Sequence, residues 1–178
     1  MILPNVKTEL RGSHGRWEQG RKALRDLLEK RIAPYDLSQV IHTDALEFAL
    51  DYCGGHVRQF ILFIREASVI AKAPPISLEA MEDAVTDSVP SISMGMKAGD
   101  WNLLAELELS DDQNWESDKE ERRDLLERLC VLEYINGESA KSKFNSKAPW
   151  SAVHPIIREL DPFKLAVEVL KNERSVPK

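Results

Sequence analysis

Thr43-Asp-Ala-Leu-Glu-Phe-Ala-Leu-Asp-Tyr-Cys-Gly-Gly-His-Val-Arg-Gln-Phe-Ile-Leu-Phe-Ile-Arg-Glu-Ala-Ser-Val-Ile-Ala-Lys-Ala-Pro-Pro75 is the stretch on which the fold turns. Thr43 and Asp44 carry side-chain oxygens suited to the free amides of a first helical turn, and Leu46, Ala49 and Leu50 form an apolar stripe behind them. Gly54 stands where such a helix ends, because glycine tolerates the left-handed conformation past a C-terminus. A longer helix then runs from Gly55 to about Ala73. Its expected inner face is Val57, Phe60, Ile61, Ile64, Ala67, Ser68 and Ala71, by i, i+3, i+4, i+7 counting. Pro74-Pro75 stops it.

Working outward, Trp17, Gly20/Arg21, Leu24, Leu27/Leu28 and Arg31/Ile32 recur at helical spacing and predict an amphipathic helix closed by Pro34. Arg21, Lys22, Arg25 and Lys30 are placed among its polar positions. Ser77 is a cap candidate for a further helix with Leu78, Met81, Ala84 and Val85 inward. Four helices with short links over residues 17–90 make a small bundle. Residues 1–16, broken by Pro4, Gly12 and Gly15, read as a linker leading into it.

Pro90 to Gly99 reads as the boundary to a second domain over residues 98–172, with 173–178 a tail. Trp101 to Leu109 predicts a helix. Ser117-Asp-Lys-Glu120 is a capping-box pattern opening another that carries Leu125, Leu126 and Leu129. The texture then changes: Cys130-Val-Leu-Glu-Tyr-Ile135 has strand composition, Asn136-Gly137 is a turn signal, and Pro149-Trp-Ser-Ala-Val153 reads as the returning strand. The intervening lysine-rich piece is too long for a tight hairpin and predicts a wing-like loop. His154-Pro155 ends the strand, and helices over residues 156–160 and 163–170 follow. The expected fold class is mainly α, a small helical bundle followed by a winged-helix-like module with a short β-hairpin.

Of the 178 residues, 43% are hydrophobic and 30% charged, as in an ordinary soluble domain. No run of about 18 apolar residues and no leader pattern is present, so no membrane partner is expected. Cys53 and Cys130, two lone thiols in different expected elements, read as buried and reduced, so the expected compartment is the cytoplasm. The net charge of −6 hides a division. Residues 1–31 hold eight Lys/Arg against four Asp/Glu, and residues 98–128 hold four against eleven. That balance argues against a general nucleic-acid binder, which needs a sustained basic face.

Chemistry is excluded more readily than assigned. His14, His42, His56 and His154 are not spaced as metal ligands from one another or from Cys53 and Cys130, so no metal is expected. There is no Gly-x-Ser-x-Gly elbow. There is no Gly-x-x-x-x-Gly-Lys-Ser/Thr loop either, and no strand ending in paired acids, so phosphoryl transfer lacks its cradle and its magnesium ligand. The chain is expected not to be an enzyme by itself. The carboxylates of residues 111–127 read as a solvated helix face. Trp17, Trp101, Trp115 and Trp150 are scattered, which suits packing better than a base-stacking platform.

What remains is Gly54-Gly55-His56-Val57-Arg58. It places an arginine in the first turn of a helix whose free amides and dipole already favour anions. Read plainly, it is a glycine cap followed by a surface arginine. Read functionally, the guanidinium is a planar fork for phosphate oxygens. Arg31, beside Lys30, is a second basic candidate, and also suits the helix C-terminal dipole.

The wider order is a basic helix, a helix ending in Gly-Gly-x-x-Arg, a long helix with Ala67-x-x-x-Ala71, a Pro-Pro break, then Ser77-Leu-Glu-Ala. It resembles the lid subdomain of AAA+ and STAND P-loop ATPases. Leu125 to Gly137, with Trp150-Ser-Ala-Val-His-Pro-Ile-Ile157, is similar to the winged helix that often follows such a lid. The resemblance covers about residues 17–160. It implies that Arg58 is the sensor 2 arginine contacting the nucleotide's terminal phosphates, with Gly54 and Gly55 beside it. It also implies that ATP and magnesium enter only with a core this chain lacks, in a longer parent or a separate chain, which would make this chain a C-terminal fragment or a remnant. The winged helix would then face a protein or DNA partner. The alternatives are a free-standing winged-helix nucleic-acid binder using Arg122, Arg123, Lys141, Lys143 and Lys147, or a protein-interaction adaptor.

Overall fold

The computed structural model describes residues 5–110, 115, 120–134 and 150–175. It is mainly α, with one two-stranded antiparallel sheet among the described residues. The chain divides into two compact units, Asn5–Pro90 and the part from Ser91 onward.

The first unit holds α1 (Glu18–Ile32), the single turn α2 (Leu37–Val40), α3 (Thr43–Tyr52), α4 (Val57–Ala71) and most of α5 (Leu78–Ser93). Ala45, Leu46, Ala49 and Leu50 of α3 are buried, as the i, i+3, i+4 spacing requires. In α4 the buried set is Gln59, Phe60, Phe63, Ile64 and Ala67. Its inner face is therefore rotated from the expected one, and Val57 and Ser68 stand outside. The large Phe63 wins the core position over the smaller residues beside it, since burying its ring removes more apolar surface from water. The Ser77 hydroxyl accepts from the Ala80 amide at 3.2 Å and starts α5. That helix continues through Pro90, and the two units divide directly after that residue. Backbone bonds from His42 to Ile76 (3.0 Å) and from Ile76 to Val40 (2.8 Å) tie the start of α3 to the α4–α5 link.

Residues 5–16, read as a linker, pack into this unit. The Val6 amide donates to the Gly55 carbonyl at 3.1 Å, and the Trp17 amide donates to the Thr8 carbonyl at 2.8 Å. A Cβ on Gly20 would lie 1.7 Å from the Lys7 carbonyl oxygen, and one on Gly55 1.7 Å from that of Val6. Gly55 of the α3–α4 turn and Gly20 of α1 thus admit the successive carbonyls of Val6 and Lys7.

The second unit contains α6 (Ala98–Glu108), α7 (Glu120–Glu127), β1 (Val131–Tyr134), β2 (Trp150–Val153), α8 (Pro155–Glu159) and α9 (Asp161–Ser175). The strands pair Val131 with Val153 and Tyr134 with Trp150. Those two rings stack at 4.6 Å between centroids, and neither is exposed. His154 is fully buried and caps α8, its Nδ1 accepting from the Ile156 amide at 3.2 Å. The Ser117 capping box and the wing-like loop of residues 136–149 lie outside the described residues. No helix of the described residues is long and apolar enough to cross a membrane.

Candidate functional site

Gly54 and Gly55 both have positive φ, 54° and 73°, and turn the chain between α3 and α4. His56 is the N-cap residue of α4 and makes no side-chain capping bond. Its backbone carbonyl takes the Phe60 amide at 3.0 Å, so the amides of Val57 and Arg58 have no acceptor among the described residues. Arg58 is exposed, in the first turn, with no acidic residue in that turn and no ion pair among the described residues. Free amides, an uncompensated helix dipole and an unpaired guanidinium converge on one small region.

The imidazole of His56 is half-buried, with its Nδ1 unpartnered. Burial first, and the Arg58 charge second, push its pKa below the usual histidine value, so it is neutral at pH 7. The group preceding it, Cys53, is fully buried, and desolvation pushes its thiol up to about 12. It donates weakly to the Leu50 carbonyl at 3.7 Å. A thiol held protonated is no nucleophile. The arrangement can receive an anion; it holds no nucleophile paired with a base.

Behind the turn, an ionic cluster that the sequence did not reveal joins α1 to α3. Arg21, counted above among the polar positions of its helix, is 1% exposed. It donates to Glu47 and to Asp51 at 2.6 Å each, two carboxylates one turn apart on α3. Arg16 reaches Asp51 at 2.7 Å, and Arg25 reaches Glu47. Burial alone would raise the Glu47 pKa, but hydrogen bonds from Arg21 and Arg25 outweigh it and hold the carboxyl below its ordinary range. The same spacing of acids, i and i+4, would have shown that α3 presents two carboxylates on one face; it does not show which arginine meets them.

The other expected residues scatter. Arg31 is exposed at the end of α1 and makes no bond to Arg58. Arg123 is exposed on α7. Arg122 is half-buried, its guanidinium 5.2 Å from the Trp115 ring centroid, while the Trp115 Nε1–H donates to the Arg122 carbonyl at 2.9 Å. Together they border a cavity of about 430 Å³ that Glu106 and Arg174 also line. Arg122 is therefore engaged in packing rather than held out to solvent. Lys141, Lys143 and Lys147 lie outside the described residues. Trp115 and Trp150 are buried and Trp17 carries Lys7 over its ring at 4.0 Å, as expected of packing tryptophans.

Comparison of the chain with known protein families, with curated proteins and with solved structures finds no match.

Proposed function

We propose that this chain is the non-hydrolysing, regulatory C-terminal region of a P-loop ATPase of the AAA+ or STAND type. Its first unit serves as the lid and its second as a winged-helix module that passes the nucleotide state to a partner. The observation that carries this reading is Arg58: exposed and unpaired in the first turn of α4, directly after Gly54-Gly55, beside amides that lack acceptors. The terminal phosphate of a nucleotide bound by a separate core satisfies those donors, and its loss on hydrolysis releases them. The contact differs between tri- and diphosphate, which is what a sensing residue requires.

The buried glycine turn supports a sensing rather than a catalytic role, since it offers rigid positioning and no nucleophile for the neutral His56 to activate. ATP and magnesium belong to the core and bind this chain only in its presence. Titration of the isolated chain with a fluorescent ATP analogue is expected to give no saturable binding, and micromolar affinity would overturn the reading. In the assembly that carries the core, Arg58→Ala is expected to slow hydrolysis roughly 10–100-fold, the 1.5–3 kcal/mol of a charged hydrogen bond. An unchanged rate there would remove the sensor role.

A further inference from the structure

Five of the large apolar side chains left exposed fall on two helices: Val57, Leu62 and Val69 on α4, and Leu165 and Val169 on α9. Their surroundings differ in sign. Leu62 and Val69 are seven residues apart, which returns them to within about 20° of one line along α4. Arg58 and Arg65 repeat at the same interval beside that line, Lys72 follows as the left-handed residue that caps the helix, and all three are exposed. Among the described residues the carboxylate nearest the stripe, Glu66, is paired with Arg65, so the margin keeps a net positive charge. On α9, Leu165 and Val169 lie on adjacent turns, flanked by exposed Asp161 and Glu168 on one side and Glu173 on the other. None of these three acids has an ion-pair partner among the described residues. Lys164 lies about 100° round the helix from Leu165, by 3.6 residues per turn, and is bound to Glu159 at 2.9 Å.

Each stripe is an apolar seam with like charges on its margins, the arrangement by which paired helices select a partner of opposite sign. Two α4 stripes would set cations against cations, and two α9 stripes acids against acids. We propose that the chain self-associates by packing α4 of one copy on α9 of a second. Leu62 and Val69 meet Leu165 and Val169, and Arg65 and Lys72 face Glu168 and Asp161. A contact of two short helices is small, so the association is weak and concentration-dependent. The surfaces differ, so the contact either closes reciprocally in a pair or propagates from copy to copy.

The proposed contact pairs no residue with Arg58, so it stands or falls apart from the phosphate reading. The test is sedimentation velocity on the whole chain over a concentration series. The wild type is expected to shift from monomer to larger species in the micromolar range. Arg65→Glu and Glu168→Arg singly are expected to weaken association about tenfold or more, and the double variant to regain it. Val69→Asp is expected to abolish it by removing the apolar contact. All these positions are exposed, so the melting temperature serves as the control and is expected to stay unchanged. A wild type that stays monomeric at every concentration overturns the proposal, as does association indifferent to Arg65→Glu or a double variant that fails to recover. Monomeric wild type that binds an added acidic amphipathic peptide, or vesicles containing phosphatidylserine, through Arg65 also counts against it.

Discussion

The Nη2 of Arg21 lies 2.6 Å from Oε2 of Glu47, and the arginine is almost wholly removed from solvent while the glutamate is only partly so. The pair joins the start of α1 to the middle of α3, and Asp51 takes the other arm of the same guanidinium. A buried charge of this kind is tolerable only while its partners stay in place.

Arg21→Met is therefore expected to destabilise the first unit by about 2–4 kcal/mol, because Glu47 and Asp51 each lose their buried partner and keep only the more exposed Arg25 and Arg16. Urea unfolding followed by circular dichroism measures this. Arg21→Lys is expected to recover only part of the loss, since an ammonium cannot hold both carboxylates as a planar fork does. A Lys variant as stable as wild type would show that charge alone, and not the fork, is what the site needs.

Acid should act on the same cluster. Glu47 titrates below its ordinary value in the folded chain, so its contribution is complete above pH 4.5 and is lost as the pH falls through the lowered folded value. Glu47→Gln is expected to be less stable than wild type at pH 7 and to approach it as the pH drops below that range. Parallel stability–pH curves for the two proteins would contradict the lowered value.

The glycines divide into those that admit backbone and those that do not. Gly20→Ala, inside a helix, would ordinarily stabilise by about 1 kcal/mol. Here it is expected to destabilise by roughly 2 kcal/mol or more, as must Gly55→Ala, because each new methyl meets a carbonyl that cannot move alone. Gly99 of α6 has nothing within 4 Å of such a methyl, and Gly99→Ala is expected to be neutral or stabilising. Thermal melts of the three variants separate the cases.

Thiol chemistry should report unfolding. Cys53 is raised to about 12 and Cys130 to about 11, in both cases chiefly by burial. At pH 8 neither is expected to react with an aromatic disulfide reagent in the native chain, and both should react once urea opens it. Rapid labelling of one thiol under native conditions would mean that its unit opens locally.

Much of the architecture was legible from residue spacing. The apolar stripe of α3, the glycine turn after it, the Ser77 cap and the pairing of the Val131 and Trp150 strands all follow from short-range pattern. The buried set of α4 was legible as a helix but not in its rotation, because Val57, Ile61 and Phe63 are equally apolar and only the neighbouring helices choose among them. Arg21 was misplaced for a related reason. Charge normally marks the solvated side, and the carboxylates that draw it inward come from another helix 26 and 30 residues away. The packing of residues 5–8 was hidden because an extended piece has no period to read. Gly20 was the one signal available, since a glycine in mid-helix usually has a packing reason. Of the candidate site, Arg58 was visible from its place after two glycines, while the ion cluster behind it was not.

The seating of Val6 and Lys7 against Gly55 and Gly20 has a mechanical meaning. A chain clamped at two points this close to a helix start behaves as a tether with no slack. Force applied at Asn5 along the backbone reaches Gly55 through the 3.1 Å bond from Val6, three residues short of Arg58. Displacement of the tether is then expected to disturb the turn that leads into α4.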